Sequence, residues 1–273
     1  MNPVDESVAK HKDPDVTALK VYWQPGCSSC LRAKEFLKSH GIAFVSVNVL
    51  ESDAGFRELA ELGVRRVPIV RRDSEWVDGQ VIADVARIAG IALGATPLLP
   101  PDALVERGDA VMRCAMRLAA TIPEDQLDTC FPGRPRSYRQ LSAHIVQIFE
   151  IYLDLVEHSQ RVEHASYEED VPADLTHRSD LVAYGEAIRA RFARWWAKRG
   201  QQVDFEAPAD VYYGVQTLHE FLERTVWHAG QHTRQLQLAV ERLGLRPEPP
   251  LTEGDFAGLP MPENVYDDQI KFA

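Results

Sequence analysis

Short apolar runs and helix-spaced apolar residues alternate along the first third of the chain. Four segments have the length and apolar content of β-strands: 18–23, 42–49, 67–70 and 74–77. Three segments place apolar side chains at helical intervals: 28–40, 53–62 and 81–91. Gly41 and Gly63 follow the first two of these helices, at the position where glycine commonly ends a helix. The order β-α-β-α-β-β-α predicts an α/β domain.

The pattern changes after residues 94–101, which are rich in proline and turn-forming residues. Beyond them, apolar residues recur at helical spacing in four long segments: 102–121, 137–159, 179–199 and 211–243. Ser137 and Gln140 form a capping-box pattern at the start of the second helix, and Gly244 ends the fourth. An acidic, irregular stretch over 160–178 joins the second and third helices. Four helices with one long crossover predict a helix bundle.

The sequence thus predicts a two-domain chain, one domain α/β and the other all-α. Its parts are a flexible tail (1–17), the α/β domain (18–92), a linker (93–101), the helical bundle (102–245) and a proline-rich C-terminal tail (246–273). The C-terminal tail has the composition to pack across either domain.

Composition and charge argue against some kinds of partner and indicate a location. The 273 residues carry a net charge of −11, which argues against nucleic acid or an anionic membrane as a partner. The first fifteen residues are polar and unlike a signal peptide, and no segment is apolar enough to span a membrane. Four cysteines do not make a disulfide framework, so we expect a reducing, cytoplasmic location.

Cys27 and Cys30 are separated by two residues at the predicted start of the first helix. A helix N-terminus lowers the pKa of a cysteine thiol, so Cys27 is the candidate attacking thiolate and Cys30 the resolving thiol. Val67-Pro68 would supply a proline, expected cis, that faces the dithiol. The alternative is half of a zinc site, but no second close Cys or His pair follows in this domain.

His228 and His232 are four residues apart on the fourth predicted helix, so they share one face and can bind one metal ion. His144 lies on the apolar stripe of the second predicted helix and offers a third ligand. Three imidazoles would leave an open tetrahedral position for catalysis. The alternatives are chance spacing on a surface helix and, for His144, a hydrogen-bonded core histidine.

Residues 19–92 resemble a glutaredoxin. The resemblance rests on the sequence Val-Tyr-Trp-Gln-Pro-Gly-Cys-Ser-Ser-Cys at 21–30, on Val67-Pro68 and on the Asp78-Gly79 turn. It implies a thioredoxin fold and thiol–disulfide exchange with glutathione, which Gln24, Val67 and Pro68 would contact. The chain departs from the family where Gln24 replaces a basic residue, where Ser-Ser replaces the Pro-Tyr pair between the cysteines, and where paired glycines are missing near the last helix.

Residues 102–245 resemble the DinB-like metalloenzyme bundle, which has one histidine on its second helix and H-x-x-x-H on a late helix. His144, His228 and His232 match these positions. The resemblance implies a divalent metal, often zinc or nickel, with an open position for water or a thiolate. The family includes thiol-dependent S-transferases and a thiol-dependent isomerase.

Together these features predict a thiol-linked metalloenzyme, a transferase or isomerase that uses glutathione or a similar low-molecular-weight thiol with a small electrophile or disulfide. Arg224, one turn before His228, could hold a carboxylate of the substrate or thiol; the alternative is a surface ion pair with Glu220 or Glu223. Two other functions remain open. One is a glutaredoxin-type oxidoreductase with the bundle as a docking or metal-sensing domain. The other is a non-enzymatic metal-binding interaction protein.

Overall fold

The computed structural model describes residues 18–94, 97–131, 133–168, 171–246 and 249–270. The predicted flexible tail, 1–17, lies outside the described residues. Among the described helices, none has the length and the apolar character that crossing a membrane requires.

The amino-terminal domain is a four-stranded mixed sheet with helices on both faces. The strands are β1 (Leu19–Trp23), β2 (Phe44–Asn48), β3 (Ile69–Arg72) and β4 (Glu75–Asp78), in the order β2-β1-β3-β4. β1 pairs parallel with β2 and antiparallel with β3, which pairs antiparallel with β4. The helices are α1 (Ser28–Ser39), α2 (Asp53–Glu61) and α3 (Ile82–Ala89). This is the predicted thioredoxin-like α/β arrangement.

Side chains of β1 alternate between two hydrophobic clusters, because successive residues of a strand point to opposite faces of the sheet. Leu19 and Val21 pack with residues of α1 and α3, such as Leu37 and Val85. Tyr22 packs with Leu59 of α2 on the other face. Each fully buried apolar side chain contributes roughly 1.5–3 kcal/mol, so both faces hold β1, and the turn that follows it, in place.

The second region is helical. Its long helices are α4 (Pro101–Thr121), α5 (Tyr138–His158), α6 (Arg178–Arg199) and α7 (Leu218–Arg242). α6 and α7 each pack against both α4 and α5, around one large hydrophobic core. The predicted capping box is present: the Ser137 hydroxyl accepts from the Gln140 amide, and the Gln140 side chain accepts from the Ser137 amide. It fixes the start of the helix that carries His144.

The predicted fourth helix, 211–243, begins too early. The structure starts α7 at Leu218, and two short strands precede it, β5 (Pro208–Ala209) paired antiparallel with β6 (Gln216–Thr217). Thr217 caps α7 by accepting from the Glu220 amide, while the Glu220 carboxylate accepts from Thr217. This capping box stops the helix from extending toward residue 211.

The C-terminal segment, defined here as residues 249–270, contacts both domains. Asp267 forms a buried ion pair with Lys34 of α1, at 2.8 Å. Glu35 of α1 accepts hydrogen bonds from the backbone amides of residues 263 and 264. Arg234 of α7 donates to the carbonyls of residues 262 and 263. The segment therefore ties α1 to α7, rather than lying on one domain alone.

Candidate dithiol and metal site

The two cysteines lie at the start of α1 and are joined as a disulfide, with a Cα–Cα distance of 5.2 Å. Cys27 is the N-cap residue of α1, and its sulfur accepts a hydrogen bond from the Cys30 amide at 3.2 Å. Gly26 has a φ of +71°, which glycine adopts without strain, and so turns the chain from β1 into α1. The Val67–Pro68 peptide bond is cis, as the sequence predicted.

The three predicted metal ligands are brought together from two helices. His144 of α5 and His228 and His232 of α7 are all buried, and one ligand atom of each lies within 4.8 Å of the others. The Nε2 atoms of His228 and His232 are 3.2 Å apart. Two nitrogens bound at about 2.0–2.1 Å to one tetrahedral ion lie about 3.3 Å apart. The spacing thus fits a shared divalent cation.

The protonation state of the three histidines suits metal binding. Burial lowers the pKa of His144, His228 and His232 well below the usual value. Nearby guanidinium groups act in the same direction, that of Arg136 on His144 and His232 and that of Arg224 on His228. The imidazoles are therefore neutral at pH 7, which is the form that binds metals. A set of three nitrogen donors suits zinc or nickel better than magnesium or calcium.

Gln235 orients one of the predicted ligands. Its side-chain oxygen lies 2.8 Å from Nδ1 of His232. That contact requires a proton on Nδ1, which leaves Nε2 free to bind a metal. The Gln235 amide nitrogen donates to the carbonyl of Gly26, at 3.4 Å, and to that of Val265, at 3.3 Å. One glutamine thus connects the histidine group, the turn before Cys27 and the C-terminal segment.

A cavity of about 70 Å³ lies between the dithiol and the histidines, and we call it the interdomain cavity. The amino-terminal domain lines it with Gln24, Cys27, Ser28, Ser29, Val67 and Gln80. The helical region lines it with the three histidines, three arginines and neighbouring polar side chains: Arg134, Arg136, His144, His164, Tyr167, Glu168, Tyr212, Arg224, His228 and His232. A small molecule in this cavity would contact Cys27 and the histidines together.

Two of the three residues predicted to contact glutathione lie at the interdomain cavity. Gln24 and Val67 line the interdomain cavity. Pro68 is not among its described lining residues; it packs against Gly79, where an added Cβ would lie 2.9 Å from the Pro68 Cβ. Pro68 therefore shapes the loop that presents Val67.

Comparison with known proteins identifies the first domain. The glutaredoxin family model matches residues 19–82. The chain is 32% identical over 71 residues to an uncharacterized glutaredoxin-like 8.6 kDa protein of Clostridium pasteurianum, covering 26% of this chain and 95% of that protein. It is 29% identical over 69 residues to the glutaredoxin-like protein NrdH of Lactococcus lactis, covering 25% of this chain and 96% of the relative. The chain belongs to the glutaredoxin family through this domain.

Arg224 joins the glutaredoxin domain to the helical region. Its guanidinium donates to the Tyr167 hydroxyl at 3.1 Å and to the side-chain oxygen of Gln80. It also lies over the rings of Tyr213 and Tyr167, at 4.7 and 5.0 Å. The alternative of a surface ion pair with Glu220 or Glu223 was wrong. Arg224 lies on the buried face of α7 and lines the interdomain cavity.

Several residues in or beside the interdomain cavity were not predicted from the sequence. Gln235 follows His232 by three residues, so helical spacing alone could have marked it as a partner of that ligand. Arg134 and Arg136 lie just before the capping residue of α5, and only the folded loop brings them to Cys27. His164 follows the irregular start of the crossover between α5 and α6, and it too lines the cavity. No local signal marks residues whose role depends on the packing of two domains.

Proposed function

We propose that this protein is a thiol-dependent metalloenzyme, a transferase or isomerase that uses glutathione or another low-molecular-weight thiol. In this proposal the helical region is a DinB-like bundle and the glutaredoxin domain performs thiol–disulfide exchange. The observation that carries the proposal is that Cys27 and the three histidines line one cavity.

His144, His228 and His232 would hold the metal, zinc or nickel in preference. Bound there, the cation would lower the pKa of a thiol at its open position, so that a thiolate is available at neutral pH. Gln235 keeps His232 in the tautomer that binds a metal. The thiolate would attack an electrophilic carbon, forming a C–S bond as the leaving group departs with its electron pair.

The dithiol would supply that thiol from its disulfide. The Cys27 thiolate attacks one sulfur of the substrate disulfide, so a mixed disulfide forms and the first thiolate leaves. Cys30 then passes its proton to the first departing thiolate and attacks the Cys27 sulfur, which releases the second thiolate and closes the Cys27–Cys30 disulfide. The substrate gains two electrons, and an external dithiol reductant restores the cysteine pair. The thiolates would leave from Cys27, which lines the same cavity as the histidines.

The test is a thiol-addition assay on the metal-loaded chain, with a chlorodinitrobenzene as electrophile. Glutathione is supplied either reduced or as its disulfide with a catalytic dithiol reductant. His232→Ala should reduce addition at least a hundredfold with either supply. Cys27→Ser should affect addition only when the disulfide is supplied. Equal rates for His232→Ala and the unmodified protein would contradict the proposal.

A second function is favoured by the family match: a glutaredoxin-type oxidoreductase whose helical region docks the substrate. The relatives named above are glutaredoxin-like proteins that this chain covers almost fully, which supports a dithiol that works alone. Under this function, Cys27→Ser abolishes disulfide reduction, His232→Ala leaves it intact, and no thiol addition is found with any metal.

A further inference from the structure

Three guanidinium groups converge on the interdomain cavity without matching negative charge. Arg134, Arg136 and Arg224 all line it, and Glu168 is the single carboxylate among its described lining residues. Arg224 is 7% exposed, and its Nε has no hydrogen-bond partner in the described parts of the chain. Arg134 and Arg136 are half-buried. Positive charge that is withdrawn from water, even in part, is costly unless an anion pairs with it.

Arg134 and Arg136 are the less satisfied members of this group. Within the described ranges, neither guanidinium makes a hydrogen bond or an ion pair with another residue. Burial lowers the pKa of Arg136 to about 9, with a further contribution from Arg134, and burial lowers the pKa of Arg134 as well. Both guanidinium groups would be stabilised by a bound anion. The cavity is thus locally positive in a chain whose net charge is −11.

The loop that carries these arginines packs on the turn before the dithiol. An added Cβ on Gly133 would lie 3.3 Å from Cγ of Pro25, and one on Gly26 would lie 3.7 Å from Cδ of Arg134. Arg134 therefore lies directly over the residue that precedes Cys27. An anion held by Arg134 and Arg136 would therefore lie in the cavity that Cys27 and His144 also line.

We infer that the interdomain cavity selects a disulfide or thiol bearing carboxylates, and that Arg134 and Arg136 bind those carboxylates between Cys27 and the histidines. A planar guanidinium pairs with a carboxylate through two parallel hydrogen bonds, which suits a narrow cavity of about 70 Å³. This inference names the substrate class of the proposed function and rests on it.

The test compares disulfides that differ in charge. Oxidised glutathione carries carboxylates, bis(2-hydroxyethyl) disulfide is neutral and cystamine is cationic. The full-length chain, treated with a chelator, is assayed for reduction of each. For Arg134→Gln/Arg136→Gln, the ratio of kcat/KM for oxidised glutathione to that for the neutral disulfide should fall about ten- to a hundredfold, mainly through KM. The ratio for cystamine should rise.

Two further variants make the result interpretable. Arg194→Gln removes the same charge from an exposed position on α6 and should leave every ratio within twofold. Arg134→Lys/Arg136→Lys keeps the charge and should retain part of the preference for the anionic disulfide. An equal loss for all three disulfides, or an unchanged ratio, would overturn the inference. The assay needs only the dithiol, so failure of thiol addition at the histidines would be seen separately.

Discussion

At the scale of single residues, the site depends on side chains that hold other side chains in place. Gln235 is the clearest case, because it accepts from His232 and donates to the carbonyl before Cys27. We expect Gln235→Leu to weaken metal binding about 10- to 100-fold, since the ligand loses the partner that fixes its tautomer. Gln235→Glu, which keeps an acceptor, should bind close to normally. Competition with a chromogenic chelator measures both, and equal affinity for the leucine variant would contradict this role.

The stability of the folded protein should depend on pH through Tyr22. Burial, then the hydrogen bond from its hydroxyl to Glu58, raises the pKa of Tyr22 from 10.0 to about 12. The folded protein thus keeps a phenolic proton that the unfolded chain releases, so this stabilisation is full below pH 10 and is lost as the pH rises through 12. Between pH 10 and 11 the free energy of unfolding should fall by about 1 kcal/mol more for the unmodified protein than for Tyr22→Phe. Urea unfolding at both pH values measures the difference, and parallel losses would refute it.

How far the sequence predicts the site differs from residue to residue. The grouping of His144, His228 and His232 could be predicted, because helical spacing places His228 and His232 on one face of α7 and His144 on the apolar stripe of α5. Arg134 could not, because its position depends on a loop that packs against the other domain.

At the scale of elements, the Ser137 cap fixes the residue at which α5 begins, and α5 carries His144. Ser137→Ala removes the hydroxyl that accepts from the Gln140 amide, and should lower the free energy of unfolding by about 1 kcal/mol. Ser179→Ala, at an exposed position in the first turn of α6, is the matched control and should change stability by less than about 0.5 kcal/mol. Denaturant unfolding compares them, and equal effects would mean that the cap contributes nothing.

Most element positions could be predicted, because apolar periodicity reports local structure directly. The start of α7 could not be predicted from periodicity alone. Val211 and Tyr213 are buried, so they continue an apolar pattern into a segment that is not helical. Gly214, with a φ of +125°, and the Thr217 cap interrupt the helix there.

At the scale of the whole molecule, the C-terminal segment holds the two domains in the arrangement that forms the cavity. Lys34 and Asp267 are 2% and 5% exposed, whereas the neighbouring pair Lys38–Asp268 is 49% and 67% exposed. Asp267→Asn leaves the Lys34 ammonium buried without its carboxylate, and should cost about 3 kcal/mol of stability. Asp268→Asn, the adjacent control, should cost less than about 1 kcal/mol. Similar losses for both variants would show that the segment is only loosely held.

The relation between the two domains could not be predicted from the sequence. The dithiol and His144, the first of the three predicted metal ligands along the chain, are more than a hundred residues apart. No periodic pattern in the sequence reports how close two such distant residues lie in space. Contacts such as Arg224 to Gln80 and Gln235 to Gly26 become visible only in the folded molecule. Each domain could be predicted alone, but the cavity between them could not.

The most direct test of the account is the metal content of the untagged protein beside that of His228→Ala/His232→Ala. The account predicts close to one divalent ion per chain in the unmodified protein, and little or none in the variant at equal secondary-structure content. A protein that stays free of metal after incubation with zinc or nickel would contradict it, and would leave Cys27 and Cys30 as the only chemistry of the cavity.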